Sequence, residues 1–455
     1  MKNTDFISIS SQVDFNKRCE GIAHTLDTGF AQYTSVDEFA DNLKEGKEPL
    51  FIFLSAEDVK KEAEIAGRVQ VARQLAPMAF ILVIINSKLS QSAALFVKKS
   101  GANAVLMENE VMHTCKLEFI ASQKIKSSYF PIKADEIREQ TQLNFTVLHV
   151  MPLNRKFIPI FNSGDEVTGE KAKKLKSINE VYIRREDIEA YRDYLQKFDD
   201  KSAAALGRRC RAQFLTLYSS FVDLVFMISD QSEAGSFKLG SELYQKCSSL
   251  ASELLTTLSA TGNAWAIINN SAIGESSSLQ RAPAWAAYAG LLSLQSGIGQ
   301  PVDVMTACLL CDLGMLELNP KVGALTRELS LNEKAYEKWH PEDQNEYFSH
   351  PIKGLNLALS RKLPIPDLVK SIILSSHERV DQKGFPHKIL PEKIPLESMI
   401  LQISEILDKK SQIQMGRENK PIALVKQEIF EEHMKDSGQL SRLFLEKIRG
   451  SLMDI

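Results

Sequence analysis

The chain has 455 residues, with 55 Lys and Arg against 58 Asp and Glu and a formal net charge of −3, so it is too long for one ordinary core and several domains are expected. Its 44% apolar and 25% charged residues are those of a globular protein, and the balanced charge, without a basic block, gives no electrostatic reason to expect nucleic acid as a partner. The longest apolar run, Met78 to Ile85, is strand-sized, the start MKNTDFISIS lacks a signal peptide's basic and apolar regions, and six scattered cysteines form no disulfide framework; a cytoplasmic protein in a reducing compartment, without a membrane partner, is expected. Residues 1–125 alternate apolar runs (FISIS, PLFIFL, AFILVIIN, GANAVLM) with amphipathic segments at Asp14 to Leu26, Val36 to Gly46 and Ser90 to Ser100. Strands this apolar read as buried on both faces, which predicts a parallel, doubly wound sheet flanked by helices.

Residues 126–142 are polar and mixed in charge and read as a linker. Residues 143–200 combine strand-like runs, a Gly164-Asp165 turn and helical segments, which predicts a small α+β adaptor domain. From about Lys201 to the end apolar residues recur at helical spacing, as in FLTLYSSFVDLVFMI and ELYQKCSSLASELLTTL, and an all-α bundle is expected over 201–455. The apolar face of Arg208 to Ile228 offers a surface for a homodimer.

With GANAVLM at the place of a late strand, residues 1–125 resemble a response-regulator receiver. That resemblance implies an acidic metal cluster, a phosphoacceptor aspartate and a lysine. Here Ser10-Ser11, Ser55 and Glu108 stand at those places, and Glu57 and Asp58 read as solvated acids at a helix start. A pseudo-receiver that serves as a docking or dimerising surface is the implied reading.

Four later motifs follow in order: LLCDLGM from Leu309, HPIKG from His350, SSHERVDQKGFP from Ser375 and IPLESMILQISEILD from Ile394. Together, over about Ser276 to Arg417, they resemble the HD-GYP family of metal-dependent cyclic di-GMP phosphodiesterases. The resemblance implies two or three metal ions held by a His-Asp pair, two upstream residues, three more histidines and a late aspartate. Residue by residue, the upstream positions become Gly274 and Ser278, the His-Asp pair Cys311-Asp312, and the HPxxG histidine His350. The His-His pair becomes Ser376-His377 and the late aspartate Glu405, while the family's phosphate-supporting lysine becomes Met315. Asp312, His350, His377 and Glu405 are thus the remnant metal set, with Cys311 as a thiolate candidate. Lys383, Phe385 and Arg417 are the ligand-binding candidates, Phe385 keeping a stacking face without the tyrosine hydroxyl.

Each survivor has a plainer role open to it. His377 and Arg379 can cap an apolar helix, His350 can begin a helix with Pro351 in its first turn, and Glu405 can be salt-bridged. Asp312, inside an apolar segment, is costly unless paired. Cys308 and Cys311 form a CxxC without a second pair, which reads as two small apolar side chains on one helix face. The expected function is a non-catalytic signalling protein related to cyclic di-GMP, working through protein partners, with nucleotide binding open and no cofactor required. The alternative is a residual phosphodiesterase with one divalent transition metal, Fe or Mn.

Overall fold

The computed structural model describes residues 4–43, 48–56, 58–59, 61–126, 128–151, 156–178, 180–198, 202–233, 237–271, 278–330, 335–411, 421–435 and 438–453. The apolar runs of the first 125 residues become β1 (Thr4–Ile9), β2 (Gly29–Tyr33), β3 (Phe51–Ala56), β4 (Phe80–Ile85) and β5 (Ala104–Met107). Between and after them lie α1 (Val13–Thr25), α2 (Val36–Asn42), α3 (Glu62–Leu75), α4 (Gln91–Lys99), α5 (Glu108–His113) and α6 (Lys116–Lys126). A second set of strands follows: β6 (Tyr129–Lys133), β7 (Val147–Met151), β8 (Lys156–Phe161) and β9 (Glu180–Arg184), with α7 (Gly169–Lys176) and α8 (Ile188–Lys197). The rest is helical: α9 (Ala203–Ser229), α10 (Phe237–Ser259), α11 (Ala264–Ser271), α12 (Ser278–Ser296), α13 (Pro301–Leu310), α14 (Pro320–Leu325), α15 (Pro341–Phe348), α16 (His350–Ser360), α17 (Asp367–Leu374), α18 (Leu396–Ser411), α19 (Ile422–Lys435) and α20 (Arg442–Met453).

The first sheet is parallel throughout, in the order β2-β1-β3-β4-β5. β3 lies at its centre with β4 beside it, both buried along almost their whole length, and the sheet is covered on both faces: Ile52, Leu54, Ile81 and Val83 pack into one core, Phe51, Phe53, Leu82 and Ile84 into the other. This is the doubly wound arrangement in which the strand order reverses beside β1. At the carboxyl ends of β1 and β3 stand Ser10 and Ser55, both buried, and Asp58 is exposed and paired with Arg68 at 3.2 Å; Glu57 lies outside the described residues.

This sheet forms one compact unit with residues 224–242 and 313–364. Phe226 rings pack on Phe80 and Phe119, and Asp230 reaches the sheet edge. Its Oδ1 accepts from the Val105 amide at 3.1 Å and from the Ser232 amide and hydroxyl, while Oδ2 pairs with Lys98 at 2.8 Å. Arg361, itself buried, donates to the Ile228 carbonyl at 3.0 Å.

The second unit comprises 126–223, 243–312 and 365–455. Its sheet is antiparallel, β6-β9-β7-β8. Residues 129–133, inside the stretch expected to be a linker, form its edge strand: Phe130 and Ile132 point to the core and Tyr129 and Lys133 outward. The proline in YFPIK obscures that alternation in the sequence, and proline is tolerated on an edge. The helices of this unit meet through close approaches and through buried ion pairs such as that of Arg281 with Asp408. Gly290 of α12 faces Met305 of α13 so closely that a Cβ would fall 2.4 Å from the sulfur. Arg281 of α12 holds Asp408 of α18, with Nε donating to Oδ2 at 2.5 Å. The Trp285 indole donates to the Leu401 carbonyl at 2.8 Å. Ala204–Ser229 is long and apolar enough to cross a membrane by length and composition, and 83% of its most apolar window is buried inside the protein. Phe214, Leu217, Tyr218 and Phe221, on the helix expected to offer a dimer face, are buried within the chain.

Candidate metal centre

Asp312 ends the apolar run of α13, two residues past Leu310, and is buried. α13 packs on α17; Asp312 follows the first of these helices and His377 the second. Leu313–Glu317, a 3-10 turn, packs on α16. There the contact is backbone on backbone: a Cβ on Gly314 would fall 1.8 Å from the His350 carbonyl oxygen, and one on Gly354 would fall 2.6 Å from the Gly314 nitrogen. Only glycine at both places allows this approach, and His350 at the start of α16 is fixed by it.

The His350 ring is fully buried, and its Nδ1 lies 2.7 Å from the Tyr347 carbonyl. A carbonyl only accepts, so Nδ1 carries a proton and donates it, which leaves Nε2 as the ring's ligating atom. This is the anchoring by which proteins orient a ligating imidazole. His377 is oriented differently. Phe385 stacks on its ring with centroids 4.6 Å apart and planes at 21°, and the Phe385 amide donates to the His377 carbonyl at 3.1 Å. Gly384 permits the turn, since a Cβ there would fall 2.4 Å from that same carbonyl.

Asp312, His350 and His377 each offer one ligand atom, and the three atoms lie within 4.8 Å of one another. Two imidazole nitrogens and a carboxylate oxygen suit one divalent cation such as Fe, Mn or Zn. The other candidates are placed elsewhere. Glu405 stands outside that group, its carboxylate paired with Lys409 at 2.6 Å. Cys311 also stands outside it: its thiol donates to the Cys308 carbonyl at 3.3 Å, and burial pushes its pKa well above the ordinary value. Ser376, at the place of a second histidine, is buried. Phe385 is buried with one ring face on His377, Lys383 is exposed, and Arg417, with Gly274, lies outside the described residues.

Residues 266–424 match the HD domain family. This segment is an HD domain. No curated protein matches the chain. Among solved structures the chain is similar to one described as Bd1817, a HDG"Y"P protein from Bdellovibrio bacteriovorus, at 19% identity over 71% of this chain and 99% of that one, with a TM-score of 0.46.

Several residues that hold the centre of this HD domain escape a reading of its motifs. Glu378 is buried beside His377, and its carboxylate accepts from the amides of His387 at 2.6 Å, Lys388 at 3.0 Å and Ile389 at 3.1 Å. Gln402 of α18 donates to the Glu378 carbonyl at 2.7 Å. Arg379 makes a two-pronged pair with Asp381, at 2.9 and 2.7 Å, which holds the Asp381 carboxyl below its ordinary pKa. Glu378, Arg379 and Asp381 therefore shape the loop that carries Phe385 to His377. The signal for this was the density of charge in a loop that is otherwise tightly turned.

Proposed function

We propose that the chain is a cyclic di-GMP-related signalling protein, in which an HD domain with a reduced metal shell and a pseudo-receiver act through protein contacts and not by phosphodiester hydrolysis. The observation that carries this reading is the donor set, which among the described residues is three ligand atoms from Asp312, His350 and His377. That set fits one cation. In-line displacement at a phosphodiester with two cations needs bridging and flanking donors for both, and Cys311, Ser376 and Glu405 do not add to the group. A bound Fe or Mn ion would supply positive charge to a phosphate, with Asp312 and the two imidazoles as its protein ligands. The pseudo-receiver reading is supported by the strand order β2-β1-β3-β4-β5 and by serines where that family carries its acids. Recognition of the dinucleotide without cleavage would draw on Lys383, Phe385 and Arg417.

Metal content and turnover test the proposal together. Protein loaded with Mn²⁺ or Fe²⁺ and desalted is expected to retain no more than one equivalent and to leave cyclic di-GMP intact by chromatography. Two equivalents with linear product would overturn it. The second reading, a single-metal phosphodiesterase, is favoured by the carbonyl-anchored tautomer of His350; linear product from protein holding one equivalent decides for it.

A further inference from the structure

Lys116 opens α6 in the amino-terminal α/β segment and is nearly fully buried, yet the HD motifs give it no role. A lysine taken out of water this far must be compensated by charge. Its ammonium pairs with Glu110 at 2.5 Å and with Glu317 at 2.7 Å. Glu110 is itself held, accepting from the Met107 amide at 3.0 Å and from Gln231 at 2.6 Å. Glu317 is the last residue of the 3-10 turn whose Gly314 lies against the His350 carbonyl.

The same turn is gripped at two further points. The Cys115 amide donates to the Leu316 carbonyl at 3.0 Å. On the other side Lys353, three residues after His350 on α16, donates to the Glu317 carbonyl at 3.2 Å and pairs with Glu346 at 2.6 Å. Glu317 thus stands between Lys116, through its carboxylate, and α16, through its carbonyl. All of these residues belong to one compact unit.

We propose that Lys116 is a positioning residue for His350: it holds the turn Leu313–Glu317 against the first turn of α16 and so sets the imidazole that the candidate metal centre uses. The proposal rests on the reading of Asp312, His350 and His377 as that centre, and it makes the α/β segment a structural part of the HD site. Removing the ammonium takes from the half-buried Glu317 carboxylate the cation that pairs with it, and the turn shifts where Gly314 and His350 have no slack.

The test uses the full chain with Mn²⁺ alone as probe, measured by calorimetry, alongside amide exchange of residues 313–317 and 350–354. Lys116→Met is expected to weaken Mn²⁺ binding by about 10-fold or more, the usual loss when a group behind a metal ligand is removed, and to speed exchange in both segments. Lys116→Arg is expected to restore both. Lys98→Met removes another partly buried ammonium of the same unit, paired with Asp230 and Glu233, and serves as the control for general destabilisation; its Mn²⁺ affinity should stay within about twofold of the parent by the same comparison. Unchanged affinity and unchanged exchange in Lys116→Met, or an equal loss in Lys98→Met, overturns the assignment. If the parent protein takes up no Mn²⁺, the metal reading falls and the exchange data alone decide whether Lys116 holds the His350 turn.

Discussion

Replacing Gly354 by alanine puts one methyl group where two backbones touch. Its Cβ would fall 2.6 Å from the Gly314 nitrogen and 3.2 Å from the Gly314 Cα, and neither atom belongs to a side chain that can swing aside. Inserting a methyl into a packed contact costs about 1–3 kcal/mol, whereas alanine in place of glycine inside a helix gains about 0.5–1 kcal/mol. Because the contacts are with backbone, the cost falls at the upper end of its range, and the net is a loss of about 2–2.5 kcal/mol, or about 4–10 °C in Tm for a unit of this size. Gly21 provides the comparison: it lies in α1 with nothing within 4 Å of its Cβ direction, so Gly21→Ala should stabilise by about 0.5–1 kcal/mol. Thermal and urea unfolding of both variants, with Mn²⁺ affinity measured on each, checks the argument. Gly354→Ala with parental stability and parental affinity would refute the claim that this approach sets His350.

Glu378→Gln keeps the shape of the buried anchor but removes its charge, and should cost about 1.5–3 kcal/mol, read as a lower urea midpoint with faster exchange of the 387–389 amides; an unchanged midpoint would show that the three amide contacts carry no weight. Arg281→Met leaves Asp408 buried without its guanidinium and should cost about 3–5 kcal/mol, while the pair Arg281→Met with Asp408→Leu should recover most of it; equal stability of the single and double variants would contradict this. Asp312→Ala should abolish retention of Mn²⁺, whereas Glu405→Gln should retain it, since the Glu405 carboxylate is engaged by Lys409. Loss of the metal in Glu405→Gln would show that the donor set is wrongly drawn.

The parallel sheet was legible because FIFLSA and FILVII are apolar at consecutive positions, a pattern that only burial on both faces explains. β6 was not, since five residues with a central proline carry little periodic signal and its partner β9 lies about fifty residues away in the chain. Asp312, His350 and His377 could be named from their motifs, and they are the residues that come together. What the motifs could not convey is how each is held. The role of Phe385 as a plate under His377 and the three amides on Glu378 depend on how one short loop folds back on itself, and the reach of Lys116 to Glu317 on a neighbour far along the chain. A charged residue in an amphipathic helix or a polar loop reads as solvated, because periodicity reports which face is wet and says nothing about a single ion pair that crosses the chain.

The carboxylate of Asp230 on the Val105 amide closes the outer flank of β5. A bare strand edge invites another molecule to add its own backbone, and here that invitation is withdrawn by a side chain from over a hundred residues downstream. Four contacts, from Val105, Lys98 and the Ser232 amide and hydroxyl, converge on this one group, so the seal cannot open piecemeal. Among the described residues, β2 is the other edge strand of this sheet.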